Sequence, residues 1–131
     1  MTKKILIGAA CIAGLTAGAM TTATTANAAI SAGYAYVCSA RYETQSTYMG
    51  DDGGVRISFY DAPNCTGSYL GYGYLYSAGS PYVTADDQHS EARLLTYFDM
   101  AGRAAESGQR VYISTCSGSV GCIEKLNFYG D

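Results

Sequence analysis

His89 is the single histidine of the chain, and Asp86, Asp87 and Glu91 crowd around it. A histidine with carboxylate neighbours is raw material for general acid–base catalysis. That chemistry also needs a nucleophile or a second base gathered into the same site. No motif supplies one: G-x-S-x-G, H-E-x-x-H, P-loop and dinucleotide fingerprints are all missing from the sequence. The plainer reading is a solvated histidine in the first turn of a helix, whose acidic neighbours face the positive end of the helix dipole. No catalytic residue is assigned. Asp51-Asp52-Gly53-Gly54 and Asp86-Asp87 lack the spaced oxygen ligands of a calcium loop, so no metal and no cofactor is expected.

Tyrosine is the second residue type with chemical potential. The chain holds 13 Tyr against 3 Phe and no Trp. A tyrosine joins an apolar ring to a polar tip, so it tolerates a half-wet surface and suits binding sites. The ordinary alternative is a ring part-buried at the margin of a thin core. In the densest run, Leu70, Tyr72, Tyr74 and Tyr76 alternate with Tyr69, Gly71, Gly73 and Leu75. Strand side chains alternate with period two. If the glycine side faces a covering element, Tyr72, Tyr74 and Tyr76 stand in a row on the wetter face. These three are the candidate binding residues, with an extracellular glycan or a protein surface as the ligand class.

The elements that must position them follow from periodicity. Tyr34, Tyr36 and Cys38 share one face of a strand over 33–42, and Val55, Ile57 and Phe59 alternate with Arg56, Ser58 and Tyr60. Glycines and Asp-Gly in 48–54 mark a reversal, as does Asp61-Ala62-Pro63-Asn64. A third strand covers 67–76. Leu94, Leu95, Phe98, Ala101 and Ala105 recur at helical spacing, with a start between Thr84 and Ser90 and Gly108 as the C-terminal cap. Gly102 inside that helix costs about 1 kcal/mol relative to Ala, which predicts a close helix–sheet contact there. Strands over 111–115 and 123–129 close the chain. The order β-β-β-α-β-β predicts an α+β fold: a mostly antiparallel sheet of about five strands with one helix on one face. Val55, Ile57 and Phe59 mark the covered face, and Gly71 and Gly73 give the helix room.

Lys3 and Lys4 precede an uncharged apolar stretch, and Ala26-Asn27-Ala28 matches the A-x-A cleavage pattern. The apolar run falls short of the ~18–20 residues of a membrane span. Residues 1–28 therefore read as a bacterial-type signal peptide and 29–131 as one secreted domain, extracellular or periplasmic. Losing Lys3 and Lys4 takes the formal charge from −3 to −5. With no basic stripe, nucleic-acid binding is disfavoured, as is contact with an anionic membrane after cleavage. Oligomeric state is not legible. Cys38, Cys65, Cys116 and Cys122 form a disulfide framework. Cys116 and Cys122 bracket a short turn and pair with each other, leaving Cys38 with Cys65. The Cys-x5-Cys spacing does not suit zinc.

Tyr60-Asp61-Ala62-Pro63-Asn64-Cys65-Thr66-Gly67 resembles the aromatic-x4-aromatic-x-Gly motif of βγ-crystallin-like domains. The likeness covers eight residues, Cys65 replaces the second aromatic and no second copy follows, so that family is not adopted. Small secreted ribonucleases share the composition, but a single histidine leaves their two-group acid–base chemistry without a partner. The expectation is a non-catalytic extracellular binding module. The alternatives are a small secreted hydrolase and an inhibitor or toxin-like protein acting through an exposed loop.

Overall fold

The computed structural model describes residues 29–46 and 49–128; the expected signal peptide, 1–28, lies outside them. Five strands, β1 (Gly33–Glu43), β2 (Gly54–Ala62), β3 (Thr66–Tyr76), β4 (Arg110–Thr115) and β5 (Ile123–Phe128), form one sheet in the order β3-β2-β1-β4-β5. Every neighbouring pair is antiparallel. The helix α1 (Glu91–Ser107) lies between β3 and β4 in sequence and packs on one sheet face, chiefly against β1. The α+β architecture and the element order are those expected.

Alternation explains which side is filled. Ala35 and Val37, Val55, Ile57 and Phe59, Leu75, Val111 and Ile113, and Ile123 and Leu126 turn inward and are buried. Leu94, Ala101 and Ala104 close this core from α1. Burying each larger apolar side chain contributes about 1.5–3 kcal/mol. Ser90 caps the helix by accepting a hydrogen bond from the Arg93 N–H (3.2 Å), and Gly108 ends it in the left-handed conformation (φ 68°). Asp86 and Asp87 belong instead to a separate 3-10 turn, Ala85–Asp87. Leu95, expected on the apolar stripe, is half exposed.

Two bulges set the faces. Between the pairs Val37↔Phe59 and Ser39↔Ser58, Cys38 is an extra residue on β1. It reaches the β2–β3 turn, where it is bonded to Cys65 (Cα–Cα 4.8 Å). Beyond it, Ser39 and Arg41 continue the face of Tyr36, while Ala40 and Tyr42 turn to the core. Between Phe59↔Gly71 and Tyr60↔Tyr69, Leu70 is extra on β3. A bulge reverses the alternation beyond it. Tyr69 therefore joins the face of Tyr72, and Leu70 packs against the core. This corrects the strict alternation expected from sequence.

The sheet also curls until its edges meet. The Tyr74 N–H donates to the Gly121 carbonyl (2.8 Å), and the Ile30 N–H donates to the Tyr72 carbonyl (3.0 Å). At this seam a Cβ on Gly73 would collide with the end of the Ile123 side chain and lie 2.9 Å from Ile30 Cγ2. Gly73 thus makes room for β5 and the Ala29–Ile30 segment, not for the helix. Gly102 differs from expectation too: it is exposed, and a Cβ there would have no neighbour within 4 Å. The second disulfide, Cys116–Cys122 (Cα–Cα 5.3 Å), closes the β4–β5 turn and packs with Met49 and Tyr76 in a small satellite cluster.

Candidate binding face

Strand register builds a grid of side chains on the outer side of the sheet. Tyr36 on β1 stands opposite Arg110 on β4 and Tyr60 on β2, and Tyr60 stands opposite Tyr69 on β3. The next rows are Ser39–Ser58–Tyr72 and Arg41–Arg56–Tyr74. Tyr34 and Tyr112 form a pair at the β1–β4 end. The rings meet edge to face: Tyr60 and Tyr69 at 5.5 Å and 63°, Tyr69 and Tyr72 at 5.8 Å and 73°, Tyr34 and Tyr112 at 5.0 Å and 77°. Such pairs each add about 0.5–1.5 kcal/mol beyond their buried area.

Polar groups are set between the rings. The Arg56 guanidinium lies 4.9 Å over the Tyr72 ring and 3.3 Å from the Glu43 carboxylate. Arg110 lies 4.6 Å over the Tyr34 ring. Planar guanidinium groups stack well on aromatic faces. The Ser39 and Ser58 hydroxyls share a 2.7 Å hydrogen bond, which satisfies the buried Ser58. Burial, aided by Tyr72, Tyr74 and Tyr60 and opposed by Arg56, pushes the Tyr69 phenol up to about 12. It therefore stays a neutral donor at any physiological pH.

Of the three residues singled out from sequence, Tyr72 and Tyr74 sit half-buried on this face. Tyr76 does not join the row. It is buried against Met49 and the Cys116–Cys122 disulfide, with Tyr82 tilted over it at 6.4 Å. Tyr36, Tyr60, Tyr69 and Arg56 complete the face and were missed. Their alternation was legible, but not the register that brings them together.

His89 is buried rather than solvated, and it precedes the helix cap instead of lying in the first turn. Its backbone N–H donates to the Tyr76 carbonyl, and its Nε2 is 3.1 Å from the Ile123 carbonyl. A carbonyl only accepts, so Nε2 carries the proton of the neutral ring. Nδ1 is buried without a hydrogen-bond partner, and the ring meets Tyr97 edge-on at 5.7 Å. Burial holds the imidazole below its usual pKa, with Arg93 adding to this; the Ile123 carbonyl, Asp87 and Glu124 oppose it. Among the described residues no three metal-ligating side chains cluster, and no helix is long and apolar enough to cross a membrane. One open hollow lies between α1 and β5 beside Ser90, Arg93, Tyr97 and Asn127, close to His89, and another lies on the outer face beside Arg41, Glu43 and Arg56.

Comparison with protein-family models, curated proteins and solved structures finds no match. Fold and site define the class by themselves: a disulfide-bonded α+β domain with an edge-meeting antiparallel sheet and a tyrosine- and arginine-rich outer face.

Proposed function

We propose that this protein is an exported, non-catalytic module that binds the surface of another extracellular protein through the outer face of β1, β2 and β3. One observation carries the reading: although Tyr76 is buried and Tyr42 and Tyr97 pack against the core, the tyrosines of β1, β2 and β3 stand mainly on the outer face. The fully buried large side chains are aliphatic residues, Met49 and Phe59, and Tyr36, Tyr60, Tyr69 and Tyr72 line the outside. Tyrosine and arginine are enriched where proteins recognise proteins, whereas lysine is depleted there. Strands β1 to β3 carry no lysine, and Lys125 stands at the far edge of the sheet on β5. The rings and guanidinium groups are spread across β1, β2 and β3, an extent suited to a broad partner. A glycan also suits tyrosine, but rings tilted by 63° and 73° share no plane along which a saccharide chain could lie.

Export is part of the proposal. Two disulfides need an oxidising compartment. Cleavage after Ala28 keeps Ile30, which is buried in the seam.

The test is retention on immobilised protein comprising residues 29–131. Proteins of the extracellular fraction of the producing cells should bind it and fail to bind a folded Tyr60→Ser/Tyr72→Ser variant. An unchanged retained set with that variant would remove the face from the interface.

A further inference from the structure

We infer that the partner's contact surface is acidic, a protein segment rich in carboxylates. This deepens the proposed function and rests on the outer face being the interface. The observation is a charge placement at odds with the rest of the molecule. The chain is acidic overall, with 11 Asp and Glu against 8 Lys and Arg. Yet the grid of the outer face carries three guanidinium groups, Arg41, Arg56 and Arg110, and among its described residues one carboxylate, Glu43.

Arg41 and Arg56 are direct cross-strand partners. Like charges in that relation destabilise a sheet. Glu43 is shared between them, at 3.3 Å from Arg56 and 4.0 Å from Arg41. The Arg41 side chain is 68% exposed, so packing does not account for it. Arg56 is the opposite case: only 13% exposed, it is clamped between Glu43 and the Tyr72 ring, its planar fork already oriented. Carboxylates accept from such a fork in a bidentate manner. An incoming carboxylate would relieve the Arg41–Arg56 repulsion while adjacent rings exclude water.

Apart from Glu43, most acidic groups lie off this face. Glu91, Asp99 and Glu106 are on α1, which packs on the other side of the sheet; Asp86 and Asp87 are in the 3-10 turn and Glu124 on β5. Asp51 and Asp52 lie in the β1–β2 turn, and Asp61, near the end of β2, accepts a hydrogen bond from the Ser68 N–H. Charge separated in this way turns the arginine face toward an acidic partner during encounter and turns the helix away from it.

The probe is poly-L-glutamate, titrated into the full 29–131 protein while backbone amide shifts are recorded. Shifts should concentrate on β1 to β3. Affinity should fall about tenfold between ~20 and ~200 mM salt, because exposed pairs are screened. Arg41→Glu should weaken binding at least about fivefold, and Arg41→Gln by less, while Arg103→Glu on the helix leaves it unchanged. No shifts, shifts on another face, or an indifferent Arg41→Glu would overturn the inference. So would binding of polygalacturonate without poly-L-glutamate, which would point to an anionic glycan. Natural-partner retention that depends on Tyr60 and Tyr72 but survives ~1 M salt and Arg41→Glu would overturn this inference alone. Retention indifferent to the tyrosines would overturn the proposed function itself.

Discussion

Gly73 on β3 and Ile123 on β5 occupy one space: the side chain that Gly73 lacks is replaced by the end of the Ile123 side chain. These residues belong to the two outermost strands of the sheet, and their contact is what lets the edges meet. Gly73→Ala should cost about 1–3 kcal/mol by overpacking. Ile123→Val, which withdraws a methyl group, should recover part of that loss in the double variant. Chemical denaturation of the four proteins gives the coupling directly, and additive effects would mean the two residues do not share the space.

Stability should fall with acid through His89. Its folded pKa is depressed by burial, while in the unfolded chain it titrates near ~6.5. Between the two values the unfolded state binds more protons, so stability rises with pH. The contribution is fully present above ~6.5 and is lost as pH falls through the folded pKa. Thermal melts from pH 7.5 to 5 should show a decline that His89→Gln reduces. Equal slopes for both proteins would contradict the buried neutral ring.

Tyr72 and Tyr76, separated by Tyr74 on one side of β3, have different surroundings. Tyr76→Ser should cost about 3–5 kcal/mol, as for a buried aromatic. Tyr72→Ser should cost about 1 kcal/mol, the scale of a part-exposed ring over a guanidinium. Urea midpoints of the two variants decide this; similar losses would place both rings in the core.

Gly102 is a helical glycine with open space around its α-carbon. Gly102→Ala should stabilise by about 0.5–1 kcal/mol, since nothing crowds the added methyl and the unfolded chain loses freedom. A lower melting temperature would show that a neighbour does depend on the glycine.

The exported protein should begin at Ala29 on N-terminal sequencing. Ile30→Ser should then cost about 2–4 kcal/mol, because Ile30 is 6% exposed in the seam. A mature chain starting beyond Ile30 with undiminished stability would contradict both statements.

The sequence by itself determined the local features. Alternation at Val55, Ile57 and Phe59 marked a half-buried strand because side-chain direction has period two. Gly108 marked a helix end because the left-handed conformation there favours glycine. Five intervening residues paired Cys116 with Cys122, and Cys38 with Cys65 by remainder. Each is legible because its cause lies within a few residues.

Only the tertiary structure decided the rest. The bulges at Cys38 and Leu70 arise from register between strands, so no single strand reveals that Tyr69 and Tyr72 share a face. Gly73 marked a close approach, but whether helix or strand came near depended on how far the sheet curled. His89, among acidic residues, looked solvated; the strand end at Ile123, 34 residues away, buries it. The outer face joins residues of four strands, and its charge contrast exists only once those strands are in register.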